Sequence, residues 1–245
     1  MLLDRIPHTT RLGRLLRRPL RWVPPDRPRP ILTGPAAGLL WYPASGPHGM
    51  WLGLYERKVL RRFGRLLSPE DVVWDVGAHA GLFTLLAAHR GATVHAFEPL
   101  PDNAAWISRH LELNGLAARV RVWKYALGAH SGSARFHREA TRMEGRVAPL
   151  ARDTVAVYRA DDLRLSAPTV LKIDVEGEEL NVLRGAAGLL ATARPLLFLE
   201  THAPVSIADC LELLPEYGAQ AIDGVRFLCR PTNQRGNADS RYPSS

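Results

Sequence analysis

The segment Val72-Val73-Trp74-Asp75-Val76-Gly77-Ala78-His79-Ala80-Gly81 limits the choice of fold more than any other part of the chain. An apolar run ends on an acid, turns through glycines and opens into an apolar stretch carrying Thr84 and Ala87. A second apolar run, Thr93-Val94-His95-Ala96-Phe97, follows and again ends on an acid, Glu98, before Pro99. Strand, tight turn, helix and strand make a βαβ unit, and open α/β sheets bind ligands at the carboxyl ends of such strands.

The rest of the chain continues the alternation. Strands are predicted over 72–76, 93–97, 120–126, 169–174 and 195–200, and helices over 80–90, 178–190 and around Ile207–Leu214. A further helix runs from Pro101, well suited to a first helical position, to Asn114-Gly115, a good stop. Residues 132–138 and 153–159 alternate polar and apolar and predict an inserted pair of strands. Ala219–Ile222 and Val225–Cys229 flank Asp223-Gly224, which signals a hairpin. The predicted fold class is α/β: a Rossmann-like, mostly parallel sheet with helices on both faces and an antiparallel C-terminal hairpin strand.

The glycine spacing narrows the cofactor. A dinucleotide loop reads G-x-G-x-x-G, so that the backbone can approach a pyrophosphate. Here the pattern is D-x-G-x-x-x-G. A cofactor without phosphates suits this loop better, and S-adenosylmethionine is the common one. A nicotinamide oxidoreductase on a similar sheet is disfavoured by the missing third glycine.

Four segments in order, Asp75-Val76-Gly77-Ala78-His79-Ala80-Gly81, Phe97-Glu98-Pro99, Leu171-Lys172-Ile173-Asp174-Val175-Glu176-Gly177 and Phe198-Leu199-Glu200-Thr201-His202, carry a resemblance. Residues 72–202 resemble the FkbM family of S-adenosylmethionine-dependent methyltransferases. The resemblance implies the class I methyltransferase fold, with S-adenosylhomocysteine as product. It implies that Asp75 helps position the methionine end of the cofactor and that Gly77, Ala78, His79 and Gly81 form the loop beside it. It places Glu98 and Pro99 at the ribose, Ala126 near the adenine and Asp174 at the cofactor as well as the acceptor. The family usually has Asn where this chain has His79. The implied reaction is O-methylation of a hydroxyl on a sugar or polyketide-like secondary metabolite. N-methylation of a small molecule or peptide, and a binding module without catalysis, are the alternatives.

The residues at the ends of the later strands suit such chemistry. Asp174 and Glu176 are spaced i and i+2, as are Glu200 and His202. Adjacent strands lie about 4.8 Å apart, so the four can converge. Methyl transfer from a sulfonium requires that the acceptor be aligned and its proton removed. A histidine with an ordinary pKa near 6.5 suits a base at neutral pH. His202 and Asp174 are therefore candidates for base or base-orienting roles, with Glu176 and Glu200 supporting them. His202 as a substrate binder stays open. Glu178 and Glu179 read as helix N-terminal acids that offset the helix dipole. A Mg²⁺ ion could use the same acids with Asp161 and Asp162, but no diagnostic ligand spacing is present and metal-free catalysis ranks above it.

Charge is uneven. Of the net +8, residues 1–30 contribute +6, eight arginines against Asp4 and Asp26, and the body is nearly balanced. A nucleic-acid partner is therefore not expected, and Ile173-Asp174-Val175-Glu176 puts negative charge where a polyanion would have to sit. A hydroxylated small molecule is the expected acceptor. Arg142, Arg146 and Arg152 in the 139–152 insert, with the arginine-rich arm, suit an anionic or carrier-linked form of it. Cys210 and Cys229 are too few for a disulfide framework. No apolar run reaches the ~20 residues of a membrane span and no leader pattern is present, so a cytoplasmic protein is expected. The expected organisation is a basic, proline-rich arm over 1–35, a lead-in or lid over 36–68, the methyltransferase domain over 69–230 and an unstructured tail over 231–245. Residues 9–21 suit a short basic helix. The aromatic cluster of Trp41, Tyr42, Trp51 and Tyr55 suits a lid or a piece of core equally. Homo-oligomerisation is left open.

Overall fold

The computed structural model describes residues 22–138, 145–147 and 153–232, with side chains for 22–135 and 154–232. The helix expected over 9–21, Arg142 and Arg152 of the insert and the tail beyond Thr232 lie outside the described residues. Arg146 is described by its backbone alone. The chain divides into two compact units between Arg57 and Lys58.

In the first unit, β1 (Arg29–Pro30) pairs antiparallel with β2 (Leu40–Trp41). Helix α1 (His48–Leu52) ends at Gly53, whose φ of 74° is left-handed. A Cβ there would lie 1.9 Å from the Thr33 carbonyl oxygen, so the close approach needs glycine. Trp41 and Trp51 are buried, and the Trp51 indole N–H donates to His48 Nδ1 over 3.0 Å.

Helix α2 (Arg57–Leu66) starts at the last residue of the first unit, and the second unit then alternates: β3 (Val72–Val76), α3 (Leu82–His89), β4 (Thr93–Phe97), α4 (Pro101–Leu113) and β5 (Val120–Trp123). After an insertion come β10 (Val170–Ile173), α5 (Glu179–Gly185), α6 (Ala187–Ala193), β11 (Leu196–Glu200), α7 (Ile207–Glu212), β12 (Tyr217–Ala221) and β13 (Arg226–Pro231). These strands form a seven-stranded sheet of order β12-β13-β11-β10-β3-β4-β5. Its last five strands are parallel, and β13 runs antiparallel between β11 and β12. This is the mostly parallel sheet with an antiparallel hairpin that the sequence predicts. All four residues of β10 are buried, as an interior parallel strand covered on both faces requires. Trp74, Phe97, Leu171, Ile173, Val182, Leu183, Leu197 and Leu199 form the core, each large side chain contributing roughly 1.5–3 kcal/mol by burial. Phe63 of α2 packs edge-on against Phe83 and Phe198, at 5.2 and 5.1 Å between ring centres.

Two expectations change. The strand predicted over 120–126 breaks at Lys124-Tyr125. Beyond the break, β6 (Ala126–Leu127) joins a second sheet with β7 (Gly132–Arg138), β8 (Gly145–Val147) and β9 (Asp153–Tyr158), in the order β6-β9-β7-β8. The inserted pair is thus half of a four-stranded sheet. The helix predicted over 178–190 is two helices meeting at Ala186, whose backbone leaves the helical region. Gly185 packs so closely on the Gly128 carbonyl that a Cβ would stand 2.0 Å from it. The Asp161 carboxylate then accepts the backbone N–H groups of Gly188 and Leu189 at 3.0 and 2.8 Å and caps the second helix. Asp161, which with Asp162 could have added to a Mg²⁺ site in the less favoured alternative, is thus engaged at a helix terminus, and Asp162 accepts the Ser131 hydroxyl.

Candidate active site

The carboxyl ends of β3, β4, β10 and β11 bring the predicted residues to one edge of the sheet. The glycine loop leaves β3 at Gly77, with φ +78° and a would-be Cβ 1.8 Å from the carbonyl oxygen of Asp174. The loop thus passes directly over the β10 backbone, and only glycine permits it. Gly77 and Ala78 donate their N–H groups to the Phe97 carbonyl at 3.0 and 3.1 Å. His79 has φ +53°. Asn, Asp and His are the non-glycine residues that best tolerate this region, which accounts for His in a place where the resemblance suggests Asn. The contact made there uses the backbone: the His79 N–H donates to Glu98 Oε2 at 2.8 Å. Gly81 is left-handed at the start of α3, beside Ile107. The buried His110 ring bonds the Ala80 carbonyl through Nδ1 at 2.9 Å. Burial lowers its pKa to about 4, so the ring is neutral with its proton on Nδ1.

Glu98 is buried at the end of β4. Its Oε1 accepts the Leu100 N–H at 2.9 Å and the Asn103 amide at 3.4 Å. Burial raises its pKa to about 7, against these bonds and the one from His79. A carboxylate has about four acceptor sites, so with three bonds accepted capacity remains on Oε2 for a ribose hydroxyl. Pro99 follows and leads into α4. Ala126 of β6 packs with the cluster of Leu100 and Val155, beside the Glu98 turn.

Asp75 is fully buried, and Thr84 donates its hydroxyl to Oδ2 at 2.6 Å. Lys172 Nζ stands 3.2 Å from Asp75 Oδ1 and 3.2 Å from Asp174 Oδ2, and donates to the Gly77 carbonyl at 2.9 Å. Asp75 therefore acts on the loop from beneath, through Lys172. Its sequence signal was a lysine inside a strand otherwise apolar throughout, because buried lysines are rare unless paired.

At the other end of the site, Glu176 is left-handed at φ +52° and Gly177 follows at +100°. This turn carries the Glu176 carboxylate back toward β11. His202 Nε2 faces three carboxylates: Glu176 Oε2 at 3.5 Å, Asp174 Oδ1 at 3.8 Å and Glu200 Oε1 at 3.8 Å. His202 Nδ1–H donates to Glu179 Oε1 at 2.8 Å. Glu200 Oε2 accepts from Arg226 Nε at 2.6 Å, its register partner on β13, and Arg226 also reaches Asp223. The Glu179 bond raises the His202 pKa to about 9, with Glu176 and Asp174 adding to it and burial opposing. Burial and then the Asp174 charge raise that of Glu200, while Arg226 and His202 oppose them. At neutral pH the ring is an imidazolium in the ligand-free protein, so the groups there that can accept a proton are carboxylates.

Asp174, Glu176, Glu200 and His202 thus come together as predicted, and the sequence reading missed Lys172, Arg226 and Glu179. Glu179 was read as a helix-terminal acid. Its partner lies 23 positions away in the loop after β11, and no local pattern marks it. Asp174, Glu200 and His202 could each offer a ligand atom to a metal, all within 4.8 Å of one another. The oxygens of the acids already face Lys172, Arg226 and the imidazolium.

Residues 75–221 match the family model described as the methyltransferase FkbM domain. The hexuronic acid methyltransferase AglP of Haloferax volcanii is 30% identical over 167 residues, covering 66% of this chain and 68% of that protein. The 31-O-demethyl-FK506 methyltransferase FkbM of Streptomyces tacrolimicus is 44% identical over 90 residues, 34% of this chain and 33% of its own. The structure of the methyltransferase FkbM from Methylobacillus flagellatus KT superposes with a TM-score of 0.52 at 22% identity, over 76% of this chain and 55% of that one. That likeness shows the class I methyltransferase fold.

Proposed function

This chain belongs to the FkbM family of methyltransferases, and on that footing we propose that it methylates a hydroxyl oxygen of a sugar or polyketide-like metabolite with S-adenosylmethionine as donor. When bound, that donor supplies a methyl carbon on a positive sulfur, open to in-line displacement by oxygen. The residues at the loop fit it. Glu98 keeps acceptor capacity on Oε2 for a ribose hydroxyl, and the loop carries no glycine pair for a pyrophosphate.

The observation that carries the reading is the double position of Asp174. Its carbonyl oxygen packs under Gly77 of the cofactor loop, and its carboxylate faces His202 at the acceptor end. A hydroxyl held between them meets carboxylates that can take its proton, Glu200 being the one whose basicity burial and Asp174 raise. The imidazolium Nε2–H of His202 orients the acceptor oxygen and balances the acids. Asp174, Glu176, Glu200 and His202 are thus the acceptor-side residues. Asp75, Gly77, Ala78, His79, Gly81, Glu98, Pro99 and Ala126 make up the cofactor side. The acid-lined end disfavours a polyanion such as nucleic acid. The two named relatives support an oxygen acceptor, since one is named for a hexuronic acid and the other for an O-demethylated FK506.

Calorimetric titration with S-adenosylmethionine and S-adenosylhomocysteine, beside Glu98→Ala, tests the cofactor half. Micromolar binding lost in the variant is expected. Labelled methyl transfer to hydroxylated sugars and macrolides tests the other half: a methyl ether is expected, and label found only on an amine overturns the O-directed reading.

A further inference from the structure

We propose that Glu179 is a positioning residue: it fixes the His202 ring with Nε2 turned into the acceptor end, and ties that ring to the Asp174–Gly177 turn. The inference rests on the reading of that end as the acceptor site. One oxygen makes both connections. Glu179 Oε1 accepts the His202 Nδ1–H at 2.8 Å and the Gly177 N–H at 3.0 Å. These two donors belong to different loops, after β11 and after β10. Because a carboxylate only accepts, the bond requires a proton on Nδ1 and points Nε2 at Asp174, Glu176 and Glu200.

Dipole compensation does not account for this acid. Compensating a helix dipole does not require burial, whereas Glu179 is fully buried and its Oε2 has no hydrogen-bond partner among the described residues. A glutamine could meet the same two donors without burying a charge. What the carboxylate adds is the charge that keeps His202 protonated. The charged groups facing the ring are Glu179 of α5, Asp174 and Glu176 of the turn, and Glu200 of β11. Arg226 of β13 and Lys172 of β10 stand behind Glu200 and Asp174. Cys210 of α7 lies near Glu179 and is held as a thiol, its pKa raised to about 11 by burial and the Glu179 charge.

The test is a histidine-ring NMR titration of the full chain labelled with ¹⁵N-histidine, which needs no acceptor. In the native protein His202 should hold a proton on Nδ1 and titrate near 9. In Glu179→Gln its midpoint should fall by at least one pH unit, with S-adenosylhomocysteine affinity unchanged within twofold. Glu179→Asp should recover part of the shift. Once an acceptor is known, Glu179→Gln should lower kcat at least tenfold and move the pH profile with the ring. A native ring titrating near its ordinary value, or one whose midpoint is unmoved in folded Glu179→Gln, overturns the proposal. If the glutamine variant does not fold, the native titration and Glu179→Asp decide it. Failure of the methylation assays with the ring behaviour intact would count against the acceptor reading and leave the Glu179–His202 relation standing.

Discussion

Lys172 Nζ donates to the carbonyl oxygen of Gly77 across 2.9 Å, joining the strand that carries Asp174 to the loop that meets the cofactor. The same ammonium lies 3.2 Å from Asp75 and 3.2 Å from Asp174. One buried cation therefore organises both halves of the site.

Lys172→Met should destabilise the protein by about 3–5 kcal/mol, because it leaves the Asp75 carboxylate buried without its partner. Adding Asp75→Asn should restore part of the loss. Denaturant unfolding measures both, and an unchanged midpoint in the single variant would show that the ion pair contributes nothing.

Gly77→Ala should abolish cofactor binding. The new Cβ would stand 1.8 Å from the Asp174 carbonyl at a left-handed φ. Gly115→Ala is the control: its φ is also positive, but nothing lies within 4 Å, so it should cost only about 1 kcal/mol. Calorimetric titration and thermal unfolding separate the two.

Cofactor affinity should depend on pH through Glu98. Its pKa of about 7 means that the carboxyl is protonated in more acidic solution. Ribose hydroxyls donate to the ionised form, so affinity should fall as pH drops below 7, by up to about tenfold per unit. Titrations at pH 6, 7 and 8 should show the slope, and Glu98→Gln should remove it.

Stability should fall on the alkaline side through His202. Its folded pKa of about 9 lies above the ordinary 6.5. The contribution is therefore complete below pH 6.5 and is lost as pH rises through about 9. With solvent screening at the half-buried ring, about 1–2 kcal/mol is expected. Unfolding midpoints of the native chain and His202→Gln should differ at pH 6 and converge by pH 10.

Methyl transfer should be indifferent to a strong chelator. Lys172, Arg226 and the His202 imidazolium already face the acids that would bind Mg²⁺. Loss of activity with EDTA, restored by Mg²⁺, would overturn this.

The sequence by itself determined the βαβ alternation, because apolar runs ending on acids and left-handed glycines have few other uses. Strands 72–76 and 93–97 form as predicted. Tertiary structure decided where continuity fails. Nothing local marks Ala126 for a second sheet, where it pairs with Val157, or splits the helix at Ala186, where Gly185 meets the Gly128 carbonyl and the Asp161 carboxylate caps the second helix. The acids and His202 were legible as strand-end residues, but their states were not. Whether a carboxylate is a helix-terminal acid or the partner of an imidazolium depends on burial and on neighbours 20 or more positions away, as Glu179 and His202 show.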